Sequence, residues 1–473
     1  MRANRQSDTK PELSLRSGLH RRGYRFRKHL RIRTGSKSVS VDIAFPKERL
    51  AVFVDGCFWH QCPEHGSVPS SNEAYWFPKL ARNVARDERV TKTLEASGWA
   101  VLRIWEHEPA DEAVAVVAAK LSELRRHTPS TALDLFAGAG GSTEGLKAAE
   151  YRVLGAVECD ASAARSYSSN HPDVLLFDRD IRDVSPRTMR YALGIKQGEL
   201  DLLNACPPCQ GFSSLGTGSP DDPRNDLVLV VRSFLADFRP KAFVLENVPG
   251  LHGDRRLQNL LDFARASDYG VRAYVVNATT FGVPQTRRRL VVIGVLGLDE
   301  GTLPNDMADL LPSTFHLTPP SVSKVLAKAG PIERTDDPLH HARQSSARVL
   351  ARIRQIPRGG DRFDLPEAHQ LACHKKLKGR SATAAYGRIR LDRPAPTLTT
   401  RCTTPACGRF VHPTEDRGIS LREAALLQTF PRGYRFHGTH QSLEAQIGNA
   451  VPVRMAQAIG LAVGTLTGRG TRA

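Results

Sequence analysis

The chain has 473 residues, length for two or three domains, and its 40% apolar and 25% charged composition is that of a soluble globular protein. Its net charge of +18 points to polyanionic partners. No run of about 18 apolar residues and no signal-like N-terminus appears, which excludes a membrane-spanning or exported class and predicts a cytoplasmic protein without membrane contact. In that reducing setting the eight scattered cysteines read as packed thiols, metal ligands or a nucleophile, not as a disulfide framework.

The first 40 residues carry 12 Lys/Arg against 2 Asp/Glu, and in "HRRGYRFRKHLRIR" (20–33) aromatic residues interleave with the charges, as on a nucleic-acid surface. Three short β-rich runs follow: "VSVDIAF", "LAVFVDG" and "AVLRIW". Between the last two lies "VDGCFWHQCPEH" (54–65), with His107 downstream. Cys57, Cys62, His65 and His107 are residue types that make a tetrahedral zinc site. Asp42 and Asp55 fall near strand ends, where paired carboxylates hold Mg²⁺ for phosphodiester hydrolysis, though the same spacing also suits a hairpin with solvated acids. This unit is placed at 1–108. The apolar spacing of "ADEAVAVVAAKLSELRRH" predicts a helix, taken as a linker over 109–130.

Strands then alternate with helical stretches: "TALDLFAG", "YRVLGAVE", "DVLLFD", "LDLLNA", "KAFVLENV", "VRAYVVNA" and "RLVVIGV". That alternation predicts an α/β fold, a doubly wound, mostly parallel, Rossmann-like sheet over 131–295 with ligands at the carboxyl ends of its strands. Residues 296–390 lose the pattern and read as an irregular recognition insert carrying Arg343, Arg348, Arg352, Arg354, Lys375 and Lys376; the core resumes over 391–473.

Within the core, "DLFAGAGG" (134–141) lets backbone approach a ligand at a helix N-terminus, and Glu158 ends the second strand, where a carboxylate binds ribose hydroxyls. In "CPPCQ" the prolines forbid the helix that a redox CxxC opens, and no second pair completes a metal set. Cys209 therefore reads as a displayed nucleophile and Cys206 as a packing thiol, although this stretch alone also suits two inert cysteines. Glu246 sits at another strand tip, able to donate or accept a proton. Gln285, Arg287 and Arg289 precede a further strand with alternate residues sharing a face. Taken singly, Glu246 and the arginines also read as surface salt bridges.

Together, "FAGAGG", "PPCQGFS", "ENV", "QTRRRL", "RPAPTLTT" and "IGNAVPV" stand in one order over about 131–465, and the chain here resembles the cytosine-5 DNA methyltransferases. The resemblance implies S-adenosylmethionine as cofactor and cytosine in double-stranded DNA as substrate. It implies that Phe136, Gly138, Gly140, Glu158, Asp180, Ile181, Pro208, Leu227, Asn449 and Val451 surround the cofactor. Cys209 is implied as nucleophile, Glu246 as the contact to the ring's N3 edge and exocyclic amine, and Arg287 and Arg289 as the groups that order the site and hold the base's O2. A thiolate added at C6 turns a poorly nucleophilic ring into an enamine, which is covalent catalysis. The base must first be flipped out of the duplex, at a cost of roughly a few kcal/mol.

The front unit, through "VDGCFWH", "YWFPKLARNVARDERV" and "GWAVLRIWEHE", is similar to the very-short-patch repair endonucleases that nick beside T:G mismatches. This implies Asp42 as the Mg²⁺ carboxylate, His60 as general base, Glu12 and Asp87 as further site residues, and Phe58 and Trp59 as an aromatic wedge between base pairs. Val54-Asp55 stand where some members carry Thr-His, and the zinc spacing differs, so His60 and His65 both remain open as ligands. The fusion has a physical logic: deamination of 5-methylcytosine yields the T:G mismatch, and tethering raises the nuclease's local concentration. Expected partners are double-stranded DNA and mismatch-repair proteins, with a monomeric protein that is nucleoid-associated while on DNA. Rival readings are a restriction–modification fusion cutting unmethylated DNA, and a tRNA methyltransferase with an inert DNA-binding front module.

Overall fold

The computed structural model describes residues 7–34, 37–67, 69, 72–127, 129–208, 222–315, 317–332, 336–372 and 384–468. Cys209, Lys375 and Lys376 lie outside the described residues. The chain divides into two compact units, Met1–Pro129 and Ser130–Ala473. Among the described residues no helix is long and apolar enough to cross a membrane.

In the front unit, Thr9 caps α1 (Lys10–Arg21) by accepting from the Glu12 amide. A four-stranded sheet follows, β1 (Arg27–Thr34), β2 (Lys37–Phe45), β3 (Leu50–Asp55) and β4 (Ala100–Trp105), paired in that order. The first three are antiparallel; β4 runs parallel to β3 after the crossover helix α2 (Glu73–Ala96). One face packs Ile43, Leu50, Val52 and Ile104 against Leu15 and Leu19 of α1 and Ala113, Val114, Val117 and Leu121 of α3 (Ala110–His127). The other face buries Val41, Ala44 and Ala51 with Leu94 of α2.

Two sequence expectations change here. The basic run 20–33 is not only a charged surface: its second half is the edge strand β1, whose Ile32 is buried while Arg31 and Arg33 face solvent. The segment 109–130 is not a linker: its helix contributes four buried side chains to the front unit's core, because their spacing forms a single apolar stripe.

The second unit is built on a seven-stranded sheet: β5 (Thr131–Leu135), β6 (Arg152–Val157), β7 (Leu175–Phe177), β8 (Leu202–Ala205), β9 (Ala242–Asn247), β10 (Tyr269–Asn277) and, after the two-residue β11 (Gln285–Thr286), β12 (Arg288–Leu296). All seven stretches read as strands from the sequence form. Their order is β10-β12-β9-β8-β5-β6-β7, with β12 antiparallel to both neighbours and the rest parallel. The chain winds one way from β5 to β7 and the other way from β8 to β9, so the switch point opens between the carboxyl ends of β5 and β8.

The helices α4 (Gly141–Ala148), α5 (Ala161–Asn170), α6 (Pro186–Ala192), α7 (Leu227–Phe238) and α8 (Arg255–Ala266) connect these strands. α7 and α8 bury Val231, Phe234, Leu257 and Leu260 on one sheet face. The other face is covered by α4 and by a helix near residue 460, Val453–Leu466.

Beyond β12 come α9 (Val322–Ala329), α10 (Ala347–Gln355), β13 (Ala395–Pro396), α11 (Leu421–Leu427), α12 (His440–Asn449) and α13 (Val453–Leu466). β13 returns to pair in parallel with β11. α13 lies so close to α4 that a Cβ on Gly145 would stand 2.4 Å from the Val453 carbonyl oxygen. The expected insert boundaries also shift. Met307 and Leu310 belong to the catalytic core beside α13, whereas Ile353, Ile356, Leu365, Ala385 and Tyr386 form a separate small core that reaches Val411, past residue 390. Irregular sequence concealed both edges, since neither carries a helix or strand period.

Candidate active sites

The turn after β5 uses left-handed backbone at Phe136 (φ 60°), Gly138 (φ 56°) and Gly140 (φ 97°). A non-glycine residue is strained there, which is typical of a ligand-shaped turn. Glu158, at the end of β6, accepts from the Gly138 amide (2.7 Å) and, with its other oxygen, from the Asp160 amide (2.7 Å). Each oxygen keeps a lone pair for a ligand hydroxyl, and burial raises its carboxyl above the usual range. Asp180 and Ile181 follow β7, the neighbour of β6; the Arg182 guanidinium beside Asp180 holds its carboxyl down to about 2. Phe136 and Leu227 both border the core beneath α7, and Gly141 abuts the Val451 carbonyl. Asn449 is exposed nearby in sequence, and Pro208 is half-buried. A polar, strand-end cradle with free acceptor capacity fits a nucleoside such as S-adenosylmethionine.

Under this turn Asp134 is fully buried, bonded to Thr143 Oγ1 (2.7 Å) and Asn204 Nδ2 (2.8 Å). Burial pushes it up to about 6. Asn204 also reaches Cys206, whose thiol burial raises far above its ordinary value; Cys206 is a protonated packing thiol.

β8 and β9 are parallel neighbours in register from Leu202↔Ala242 to Ala205↔Leu245, so the Cys206–Pro208 loop and Glu246 leave the sheet side by side. Asn247 ties them together by donating to the Pro207 carbonyl (2.9 Å). Glu246 is buried, with Oε1 3.0 Å from Arg289 Nε, yet at an angle that leaves this oxygen without a hydrogen bond among the described residues. An unsatisfied buried carboxylate oxygen suits an incoming donor. Arg287 behaves differently. Its Nη1 donates to the carbonyls of Leu398 and Gly448 (both 3.1 Å), and burial lowers it to about 9. Through Gly448 it anchors the closing loop, "IGNAVPV" (447–453), while Arg289 is the arginine paired with Glu246. Gln285 extends the tether, donating to Gln428 (2.9 Å) and accepting from the Leu398 amide (2.9 Å).

In the front unit the ligand atoms of Cys57, Cys62, His65 and His107 all lie within 4.8 Å of one another. His107 Nδ1 is 3.1 Å from Cys57 Sγ and 3.7 Å from Cys62 Sγ, and His65 Nδ1 is 3.9 Å from Cys62 Sγ. Bonds of about 2.0–2.3 Å around a tetrahedral zinc ion would set such edges at roughly 3.3–3.8 Å, so the four residues fit the ion. His60 stands apart, its Nδ1 2.5 Å from Asp87 Oδ2 and 3.7 Å from Asp55 Oδ1. The two histidines left open by the sequence thus have different surroundings.

Asp42 accepts from the Val54 amide (3.0 Å) and is raised by burial, with Glu12 and Asp55 adding to the effect; a carboxylate so placed fits a divalent cation. Asp55 is not the free partner expected for it. Arg103 takes both its oxygens, Nε to Oδ2 at 2.6 Å and Nη2 to Oδ1 at 3.0 Å, because a buried carboxylate needs a counter-charge. Phe58 meets Trp59 and Trp76 edge-to-face at 5.0 and 5.6 Å, the two tryptophans tilt against each other at 6.1 Å, and the Lys79 ammonium lies 5.5 Å above Trp59.

The C-5 cytosine-specific DNA methylase model matches residues 130–465. Type II methylase M.HgiDII of Herpetosiphon aurantiacus is 32% identical over 334 residues, 69% of this chain and 93% of the relative. The chain belongs to the C-5 cytosine-specific DNA methylase family. The solved S. pombe Dnmt2 methyltransferase, 16% identical with a TM-score of 0.51 over 71% of this chain and 98% of its own, shares the fold. The DNA mismatch endonuclease Vsr model matches residues 1–64. Type II nicking enzyme V.NaeI of Lentzea aerocolonigenes is 51% identical over 135 residues, 28% of this chain and 81% of the relative. This C-5 cytosine methylase is therefore fused to a Vsr-like endonuclease domain.

Several groups in this methylase escaped the sequence reading: Asn247, Gln428, the Asp134–Thr143 pair and Arg103. Asn247, Asp134 and Arg103 lay within stretches that stood out, "ENV", "DLFAGAGG" and "AVLRIW", whereas Thr143 and Gln428 left no signal.

Proposed function

We propose that the methylase unit transfers a methyl group to C5 of cytosine in a specific duplex sequence through a covalent Cys209 adduct, and that the front unit nicks T:G mismatches left by deaminated 5-methylcytosine. The observation that carries the first part is the placement of the Pro207–Pro208 loop beside Glu246 at neighbouring strand ends, joined by Asn247. Cys209 follows that loop directly in sequence. Its thiolate adds to C6 of a flipped cytosine while Glu246 protonates or hydrogen-bonds N3, and the ring's C5 becomes nucleophilic. S-adenosylmethionine, when bound, supplies the electrophilic methyl group. Glu158 would hold its ribose, the 136–140 turn and Val451 would enclose it, and Asp180 and Ile181 would border its base. Loss of the C5 proton then expels the thiolate. Arg289 holds Glu246 and faces the base, and Arg287 keeps the closing loop in place.

For the front unit, support comes from the His60–Asp87 contact, which Asp55 links to the acidic pair Asp42 and Glu12, from the four-residue Cys/His cluster, and from the likeness to an enzyme named for nicking. His60, oriented through Nδ1 by Asp87, has Nε2 available to activate water, and Asp42 would hold Mg²⁺ at the phosphate. Zinc would brace the Cys57–His65 loop that carries His60 and the Phe58–Trp59 wedge.

The test is base-resolution conversion sequencing of DNA from a methylation-free host expressing the chain, with Cys209→Ala alongside. Protected cytosines in one short motif, lost in the variant, support the reading and supply the sequence for a T:G duplex nicking assay. Absence of protection in a folded sample overturns it.

A further inference from the structure

Tyr434 and His171 are buried against the inner side of the Ala137–Gly140 turn and belong to none of the groups assigned so far. Tyr434 Oη lies 2.6 Å from the Ala139 carbonyl oxygen and 3.0 Å from His171 Nε2. A carbonyl only accepts, so the tyrosine hydroxyl donates to Ala139 and must accept from His171. That direction fixes the imidazole as the Nε2–H tautomer and leaves Nδ1 a buried lone pair without a hydrogen-bond partner among the described residues. A half-satisfied buried imidazole costs stability, and an apolar residue of similar size would avoid that cost.

The fit at the turn is close. A Cβ added to Gly140 would stand 2.5 Å from Tyr434 Oη and 2.7 Å from His171 Nε2, so the turn rests directly on these two side chains. The tyrosine is itself held from behind. Phe430 and Phe436 pack on its ring at 4.7 and 5.2 Å, and Arg422 donates to its carbonyl at 3.1 Å. The adjoining backbone is clasped to α5, since Asn170 bonds both the amide (3.0 Å) and the carbonyl (2.7 Å) of Arg435. Ser166 continues the clasp, accepting from the His437 amide (2.8 Å) and donating to Gln446 (2.7 Å), close ahead of Asn449 and Val451.

We propose that Tyr434, supported by His171, is a positioning residue for cofactor binding: it holds the Ala139 carbonyl and so sets the shape of the Gly138–Gly140 turn. The inference rests on reading that turn as the S-adenosylmethionine site.

The test is calorimetric binding of S-adenosylhomocysteine to the full chain, which needs no turnover. Tyr434→Phe keeps the ring packing and removes one hydroxyl, and it should weaken binding by about three- to tenfold, the worth of one hydrogen bond. His171→Leu should do the same, while His171→Gln, which retains an N–H within reach of the tyrosine, should bind within about twofold of the parent. Glu158→Ala probes the underlying reading and should weaken binding more than any of these. If Glu158→Ala weakens binding but Tyr434→Phe lowers only the melting temperature, the pair merely packs and the proposal is overturned. If neither variant changes the affinity, the assignment of the cofactor site falls as well.

Discussion

Replacing Glu246 with glutamine exchanges one oxygen for an NH₂ group and keeps the side chain's volume, so it separates charge from shape. In the parent the carboxylate and Arg289 are 10% and 14% exposed, with Oε1 3.0 Å from Nε. The amide leaves that guanidinium without its counter-charge. Breaking a fully buried pair costs about 3–5 kcal/mol. Because both partners here retain some solvent contact, ~1–2 kcal/mol is expected, a fall of about 2–6 °C in Tm. The effect on rate is larger. Glutamine still donates to an acceptor but cannot pass a proton to N3, and a positioned acid–base group contributes about 10²–10⁴-fold. Single-turnover transfer of labelled methyl groups to a duplex carrying the mapped site should slow by that factor, with Glu246→Asp falling between. A folded glutamine variant within about threefold of the parent rate would refute the role assigned to Glu246.

Further outcomes follow from the same geometry. His60→Ala or Asp87→Asn should reduce nicking of a T:G duplex by about 10²-fold or more while leaving methylation unchanged, since the groups lie in a unit with its own core; gel assays on one preparation read both. About one zinc per chain should be found by mass spectrometry, and removing it with a strong chelator, or substituting Cys57→Ser, should abolish the front unit's calorimetric transition; a metal-free protein melting like the parent would discount the zinc site. Burial raises the folded Asp134 carboxyl to about 6 from an ordinary 3.8. The folded state thus binds this proton more tightly, and the group's contribution, complete below 3.8, is lost as pH rises through about 6. Asp134→Asn removes that loss, worth up to about 3 kcal/mol, so its Tm should gain on the parent's as pH rises from about 4 to about 7. A difference that stays flat with pH would contradict the assignment.

The parts legible in the sequence were those governed by local rules. Seven strands of the methylase sheet carry apolar runs bounded by turn residues, and each formed. The zinc-type residues lie within one loop and a nearby strand end, so their spacing already suggested a cluster. β1 was obscured because lysine and arginine dominate it, although Leu30, Ile32 and Thr34 alternate with the charges as an edge strand does. α3 showed its apolar stripe, but a stripe does not say which surface it meets. The least legible features were pairings between distant residues: Asn247 with Pro207, Gln285 with Gln428, and Tyr434 with Ala139, separated by 40, 143 and 295 positions. No period or motif in a single chain encodes such partners, and they appear only once the sheet brings its strand ends together.

The packing of α13 on α4 imposes an order of maturation. The glycine-rich turn is among the first parts of the methylase unit to leave the ribosome, yet its backing comes from residues 430–466, which are made long after it. The front unit, by contrast, has its whole core available once Leu121 has emerged. Domains fold as units as they are made. A growing chain therefore completes its Vsr-like part well before its glycine-rich turn is backed, and any stalled or truncated product would hold a folded front unit beside an unfinished methylase.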